Sequence, residues 1–291
     1  MKKAFLIIMT FFAVCTISPA QTRLKVMSYN IRFGSATEKK PEFEWKIRQA
    51  ATPALIEDYA PDIIGVNEPE WDQHEFILRS CRDYAGYDIP RDPSSKEKES
   101  EPIYWNRKKI KPLKLGVFWL SETPEVPSRS WGARHYDLAT WGIFKFKETG
   151  EKFFFMNIHL DSQSAEARRE GLKLAHERCS SLNPEGLPVI LSGDFNMRQN
   201  CDEIIEFDSL MPNARLTAEN IISDLPTFHG FGRFVGDYLY DAENKSKNRV
   251  TLDYIYWRGF SRCISYETIT KSYENVPFLS DHYPIIAELE L

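Results

Sequence analysis

Carboxylates, amides and imidazoles recur in this chain where short apolar runs stop. The densest case is Leu191-Ser192-Gly193-Asp194-Phe195-Asn196. The run from Val189 to Leu191 reads as a buried strand, and Gly193 permits a tight turn at its end. Side chains alternate along an extended segment, so Asp194 and Asn196 would face one crevice while Phe195 turns into the core. An acceptor and a donor then share a site. The same context recurs at Asn30, at Glu68, at His159 and Asp161, at Asp253, and at the adjacent Asp281 and His282. Any one of these could simply be an Asx turn closing a strand. Together they point to a single cleft where acids and imidazoles transfer protons and oxygen ligands hold a hard cation.

The elements that must position these groups are short. Leu24 and Val26 open a first strand that ends at Asn30, and residues 62–67 form a second that stops at Glu68. Apolar spacing predicts helices over 44–59, with Pro53 as a kink or restart, and over 70–85. Residues 90–101 read as a charged loop. The middle of the chain reads as strands at 102–105, 113–120, 138–147 and 152–160, with Glu148-Thr149-Gly150-Glu151 as a hairpin turn. A charged helix over 165–182 leads into the strand before Asp194. Residues 200–219 read as helical or irregular and 221–248 as a long loop. Strands at 251–257, carrying Asp253, and 285–289 complete the chain. Both halves deliver a histidine beside an aspartate, which suggests two related halves facing one cleft.

With 291 residues, 42% apolar and 13% aromatic, the chain can bury a large core. A single globular unit over 21–291, working as a monomer, is the simplest expectation. Residues 1–20 read as a bacterial secretory signal: Lys2 and Lys3, an apolar stretch from Ala4 to Val14, then Ser18-Pro19-Ala20. The mature protein would begin at Gln21 and reside in the periplasm or outside the cell. No segment has the length of a membrane span. The formal charge of -5 supplies no overall field to attract a polyanion. Cys81, Cys179, Cys201 and Cys263 show no C-x-x-C spacing, which argues against zinc and for buried free thiols.

In order, the chain carries Y-N-I-R-x-G at Asn30, N-E-P at Glu68, N-x-H-x-D at His159, S-G-D-F-N at Asp194, L-D-Y-I at Asp253 and S-D-H-Y-P at Asp281. This set resembles the endonuclease/exonuclease/phosphatase superfamily, in particular its exported bacterial branch, and covers essentially the whole mature chain. The resemblance implies the deoxyribonuclease-I-like fold. That is an α/β four-layer sandwich, with two mixed, mainly antiparallel sheets packed face to face, flanked by helices, and a site at the top. It also implies a magnesium ion, for which manganese could substitute, held by Glu68 with Asn30 and Asp281. Asp194 would orient or deprotonate the attacking water, and Asn196 would donate to a phosphate oxygen. His159 and His282 would bind or protonate phosphate oxygens, each fixed by a carboxylate. Asp253 matches the partner of His282. Glu99 matches that of His159, with Glu101 a close rival.

Three departures bear on substrate. Where many exported relatives carry an arginine before A-T-W, Asp137 stands here, so a phosphate grip is missing or falls to Arg134. Asn67 replaces the usual glutamine, and Ser162 a frequent second histidine. Trp131 and Tyr136, in a polar loop beside Arg134, are the aromatic candidates for stacking on substrate, and Asp161 joins them on that side. Three readings compete: a metal-dependent phosphatase or phosphodiesterase acting on a small organic phosphate such as a sugar phosphate or phospholipid head group, a secreted nuclease, and a non-catalytic binding module. The charge balance favours a small substrate over nucleic acid. The intact polar set argues against the third.

Overall fold

The computed structural model describes residues 21–92, 94, 99–233 and 250–291. The expected secretory signal, and much of the long loop expected over 221–248, lie outside these residues. In chain order the strands are β1 (Arg23–Asn30), β2 (Ile63–Asn67), β3 (Tyr84–Tyr87), β4 (Ile103–Asn106), β5 (Ile110–Trp119), β6 (Leu138–Phe146), β7 (Lys152–His159), β8 (Val189–Asp194), β9 (Asn220–Ser223), β10 (Asp253–Arg258), β11 (Arg262–Thr268) and β12 (Ile285–Glu290). The helices are α1 (Trp45–Arg48), α2 (Ala51–Tyr59), α3 (Trp71–Ser80), α4 (Ala165–Ser181), α5 (Asp202–Leu210) and α6 (Ala214–Thr217).

Two sheets form, ordered β3-β4-β2-β1-β12-β11-β9 and β10-β8-β7-β6-β5. Both are mixed: β1–β2, β9–β11 and β7–β8 are parallel and the other pairs antiparallel. Period-2 alternation sorts their side chains into layers. In β7, Phe153 and Phe155 join the core between the sheets, while Phe154, Met156 and Ile158 face α4 and α5. In β1, Leu24 and Val26 point between the sheets, and Met27 and Tyr29 face α2 and α3. The result is the four-layer sandwich of helix, sheet, sheet and helix that the family resemblance implies.

Local chemistry fixes the helices. Pro53 does not kink a single helix; it sits in the first turn of α2, where its missing N–H costs no bond. Glu70 and Gln73 form a reciprocal capping box on α3. That helix stops at Ser80, short of the expected 85, because Tyr84 to Tyr87 pair with β4. Ser164 caps α4, accepting from the main-chain N–H of Ala167. Strands β9 and β11 escaped the sequence reading. A bulge between Cys263 and Ser265 puts Cys263 and Tyr266 on one side at odd spacing, which hides the alternation of β11. Cys179 and Cys263 are buried free thiols, and Cys81 and Cys201 are free and half-buried.

Candidate active site

The space between the sheets changes character at one end. Following the alternation upward, Ile63 gives way to Gly65 and then Asn67 on β2, Phe155 to Asn157 and His159 on β7, and Ile190 to Ser192 and Asp194 on β8. Apolar packing therefore ends in a buried polar floor. Registers align its members: His159 lies beside Asp194, Asp194 beside Asp253, and Asn30 beside Asn67. Asn67 spans both sheets, accepting from Asp194 N at 3.0 Å and donating to Ile158 O at 3.1 Å. The loop before β12 adds Asp281 and His282. One histidine thus comes from each sheet's side, as the sequence echo suggested.

Asp194 occupies the centre. Its Oδ2 lies 3.7 Å from Nε2 of both His159 and His282 and accepts from Asn30 Nδ2 at 3.0 Å. Its Oδ1 accepts from Asn196 N at 2.8 Å. That bond is an Asx turn, and Asn196 is left-handed at φ 50°. Turn and site are therefore the same feature, with Phe195 in the core as expected. Gly193 serves close approach and not a turn: a Cβ there would meet Ile158 O at 1.9 Å. Burial pushes the Asp194 carboxyl up to about 6, against the opposing charge of His282.

Each histidine is backed by a buried acid. His282 Nδ1 lies 2.8 Å from Asp253 Oδ2. Burial works to lower the His282 pKa, but Asp253 and Asp194 prevail and raise it to about 10. His159 Nδ1 lies 3.2 Å from Glu101 Oε1, so its partner is Glu101 and not Glu99. Glu101 is buried and its other oxygen accepts from Asn67 Nδ2 at 2.7 Å. Glu99 instead pairs with Arg91 at 2.6 Å. Burial opposes the imidazolium of His159 while Glu101 favours it, and the acids win. Asn196 pulls the other way, because its Nδ2 lies 3.1 Å from Nε2 and also donates to Leu160 O at 2.8 Å. An amide N–H aimed at Nε2 requires a lone pair there. In this arrangement the neutral ring, protonated at Nδ1, is the form that fits.

The remaining expected residues divide. Glu68, at φ 68°, accepts from Asn30 Nδ2 at 2.9 Å, and Asp281 lines the same cavity beside Arg32, whose Nε is 3.9 Å away. Burial opposes Glu68 ionisation, but His159, the Asn30 bond and Arg32 hold its carboxyl below the usual range. Asn30 turns its amide nitrogen to the acids, and its oxygen accepts from Arg32 N at 3.0 Å, which leaves that oxygen's second lone pair for a ligand or a bound water. Asp161 is not free for substrate: its carboxylate accepts from the backbone of Arg134, His135, Gln163 and Ser164. It pins the 131–135 loop to the end of β7. Trp131 and Tyr136 do not line the cavity. Trp131 borders a separate hollow with Ser121 and Glu170, and Arg129 covers Tyr136. Arg134 does line it. Arg91 and His135 also line the cavity, and no motif marks them in the sequence.

The donor set fits a divalent cation. Glu68, His159 and Asp194 offer ligand atoms within 4.8 Å of one another, as do Asp194, Asp253 and His282. The carboxylates of Glu68, Asp194 and Asp281 share this cavity with Arg32, Arg91 and Arg134 and no thiolate, and their oxygen atoms suit a hard ion.

A profile described as the Endonuclease/Exonuclease/phosphatase family matches residues 27–282. The chain belongs to that family, whose members hydrolyse phosphoesters and generally use a divalent metal. Its fold is similar to an endonuclease/exonuclease/phosphatase protein from Bacteroides vulgatus, with TM-score 0.83, 27% identity, and coverage of 93% of this chain and 100% of that one. It is similar also to a mannosyl-6-phosphatase from Bacteroides thetaiotaomicron, with TM-score 0.82, 28% identity, and coverage of 91% and 99%. Uncharacterized protein L388 of Acanthamoeba polyphaga mimivirus is 27% identical over 281 residues, covering 92% of this chain and 100% of that protein.

Proposed function

We propose that this protein is a magnesium-dependent phosphatase acting on a small organic phosphate, a sugar phosphate above all, and that it is exported by the leader in residues 1–20. The observation that carries the reading is Asp194 set 3.7 Å from two imidazoles, each backed by its own carboxylate. Magnesium at Glu68 and Asp281, exchangeable with manganese, would neutralise phosphoryl oxygens. The rest falls to the chain's own side chains. Asp194, near pKa 6, is ionised at neutral pH and can take a proton from water. His282, its Nδ1 fixed by Asp253, presents a protonated Nε2 to a phosphoryl oxygen or the departing alkoxide. Asn196 would donate beside it by exchanging one of its present bonds, to His159 Nε2 or to Leu160 O, and His159 holds its tautomer through Glu101.

The open-mouthed cavity of about 590 Å³ suits a small molecule, and a lining with more carboxylates than arginines favours that over a nucleic-acid strand. The similarity to a mannosyl-6-phosphatase supports a sugar phosphate in particular. To test this, purified protein is assayed on p-nitrophenyl phosphate, hexose phosphates, plasmid DNA and RNA with magnesium, manganese or a chelator. Hydrolysis of hexose phosphates that chelation abolishes, with an inert Asp194→Asn variant, is the expected result. A fully active Asp194→Asn variant, or turnover of nucleic acid alone, would overturn the reading. Export predicts a chain recovered outside the cytoplasm that begins at Gln21.

A further inference from the structure

The cavity continues past the proposed phosphate site along a wall that this chemistry leaves unused. Arg91, Glu99, His135 and Asp137 form it. Arg91 and Glu99 are joined twice, backbone N to O at 3.0 Å and Nη2 to Oε2 at 2.6 Å. The same Nη2 lies 3.5 Å from His135 Nδ1, so that nitrogen accepts and Nε2 carries the hydrogen. Asp137 enters just before β6 and is 7% exposed. Its main-chain oxygen accepts from Leu120 N, yet its carboxyl has no hydrogen-bond partner among the described residues. The carboxyl opens on the cavity, so a ligand seated there must supply the hydrogen bonds that solvent otherwise gives it.

Charge decides what that ligand is. Burial, followed by the neighbouring Asp161, pushes the Asp137 carboxyl up to about 8. Burial likewise raises Glu99 to about 7, against the pull of Arg91. Both acids also feel His159 and Glu101, which places the wall alongside the reacting centre. Around neutral pH it offers hydrogen-bond donors and acceptors side by side. A hydroxyl group can answer both, and a second phosphate can answer only donors while facing two acids. The guanidinium of Arg91 is already committed to Glu99 and that of Arg32 to Glu38 and Asp281. Arg134 stands exposed at the rim.

We propose that Asp137, with the Arg91–Glu99 pair and His135, is a subsite for the hydroxyls of a neutral polyol leaving group, such as a sugar, and that it rejects leaving groups bearing a second phosphate. This rests on the phosphatase reading and adds to it the residues that hold the leaving group and the class of leaving group they exclude.

The test compares kcat/KM for a hexose 6-phosphate, a hexose 1,6-bisphosphate and p-nitrophenyl phosphate in the magnesium-loaded wild type and in Asp137→Leu, Asp137→Asn and Asp137→Arg. In the wild type the hexose monophosphate should exceed the bisphosphate by at least ~10-fold. Asp137→Leu should lose ~10–100-fold on the monophosphate, mainly through KM, while p-nitrophenyl phosphate stays within about twofold. Asp137→Asn, which still donates and accepts, should retain most of the difference. Asp137→Arg should gain on the bisphosphate. Equal changes on all three substrates, or a wild type that uses the bisphosphate as readily, overturns the subsite while leaving the phosphatase standing. Failure on all three overturns both. Should Asp137→Leu not fold, Asp137→Ala and Glu99→Gln read the same ratios.

Discussion

Asp253 Oδ2 lies 2.8 Å from His282 Nδ1, and the opposite nitrogen of that ring faces Asp194 at 3.7 Å. The first contact decides where the ring's hydrogens sit and so what the second can do. Asp253→Asn preserves shape but can present its amide N–H to Nδ1 and drive the hydrogen to the wrong side. We expect kcat to fall on the order of 10²–10⁴-fold, the range seen when the group orienting a catalytic imidazole is neutralised. The melting temperature should fall as well, because the buried imidazolium loses the acid that raises its pKa. A variant with wild-type kcat would remove Asp253 from the mechanism.

Asp137 makes stability depend on pH in a direction opposite to most carboxylates. Its folded-state pKa is about 8 against an ordinary 3.8. Between those values the unfolded chain has given up a proton that the folded chain retains, so stability falls as pH rises through this window. Asp137→Asn carries no such proton. In metal-free protein the melting temperature of Asp137→Asn minus that of wild type should grow from pH 4 to pH 8, by roughly 2 °C for each kcal/mol, and then level off. A difference that stays flat, or shrinks with pH, contradicts an acid held protonated by burial.

Arg48 explains how loops from distant parts of the chain hold the site. It is fully buried, and its guanidinium donates to Phe43 O at 2.7 Å, Ile31 O at 2.7 Å, Leu279 O at 2.8 Å and Arg32 O at 3.1 Å. These carbonyls flank Asn30 and Ser280-Asp281-His282, so one side chain ties the end of β1 to the loop carrying His282. Arg48→Met fills the volume but leaves Phe43 O and Ile31 O without a donor, while Arg32 O keeps Gln73 Nε2 at 3.0 Å and Leu279 O keeps the Tyr29 hydroxyl at 3.5 Å. We expect a loss of about 2–4 kcal/mol in urea unfolding, and a drop in kcat larger than any rise in KM. Unchanged stability would mean that solvent or neighbours satisfy those carbonyls.

Much of this was legible because catalytic groups sit where a strand's alternation outruns its apolar residues. The reading of Asp194, His159 and Glu68 as strand-end residues needed only that pattern, while the role of Asp253 came from the family resemblance. What stayed hidden depended on contacts across the fold. Glu99 and Glu101 both lie in a charged run and differ by a single alternation step, and only pairing of the 99–101 segment with Pro69 and Pro90 decides which reaches His159. Asp161 resembled a ligand because a carboxylate that caps four backbone N–H groups looks the same in sequence as one that binds substrate. Trp131 and Tyr136 were judged by loop polarity, which says nothing about the side to which a ring turns. Arg91 and His135 matter through each other, and pairs that meet across 44 residues leave no local trace.

Gly193 offers the sharpest test that the two central strands must meet without a side chain between them. It pairs with Ile158 in the β7–β8 ladder at φ 138°, and an added Cβ would lie 1.9 Å from Ile158 O. No rotamer relieves a clash between Cβ and backbone, so the strands must part immediately beside His159 and Asp194. Gly193→Ala should lower the melting temperature well beyond the cost of an ordinary glycine replacement, and cut kcat at least ~100-fold by moving Asp194 away from the imidazoles. Gly186→Ala is the control: that glycine also has positive φ, at 64°, but nothing lies within 4 Å of an added Cβ. It should cost about 1 kcal/mol from backbone strain alone and leave kcat untouched. If the two substitutions behave alike, backbone strain rather than close strand approach governs Gly193, and the register placing His159 beside Asp194 is not what the site requires.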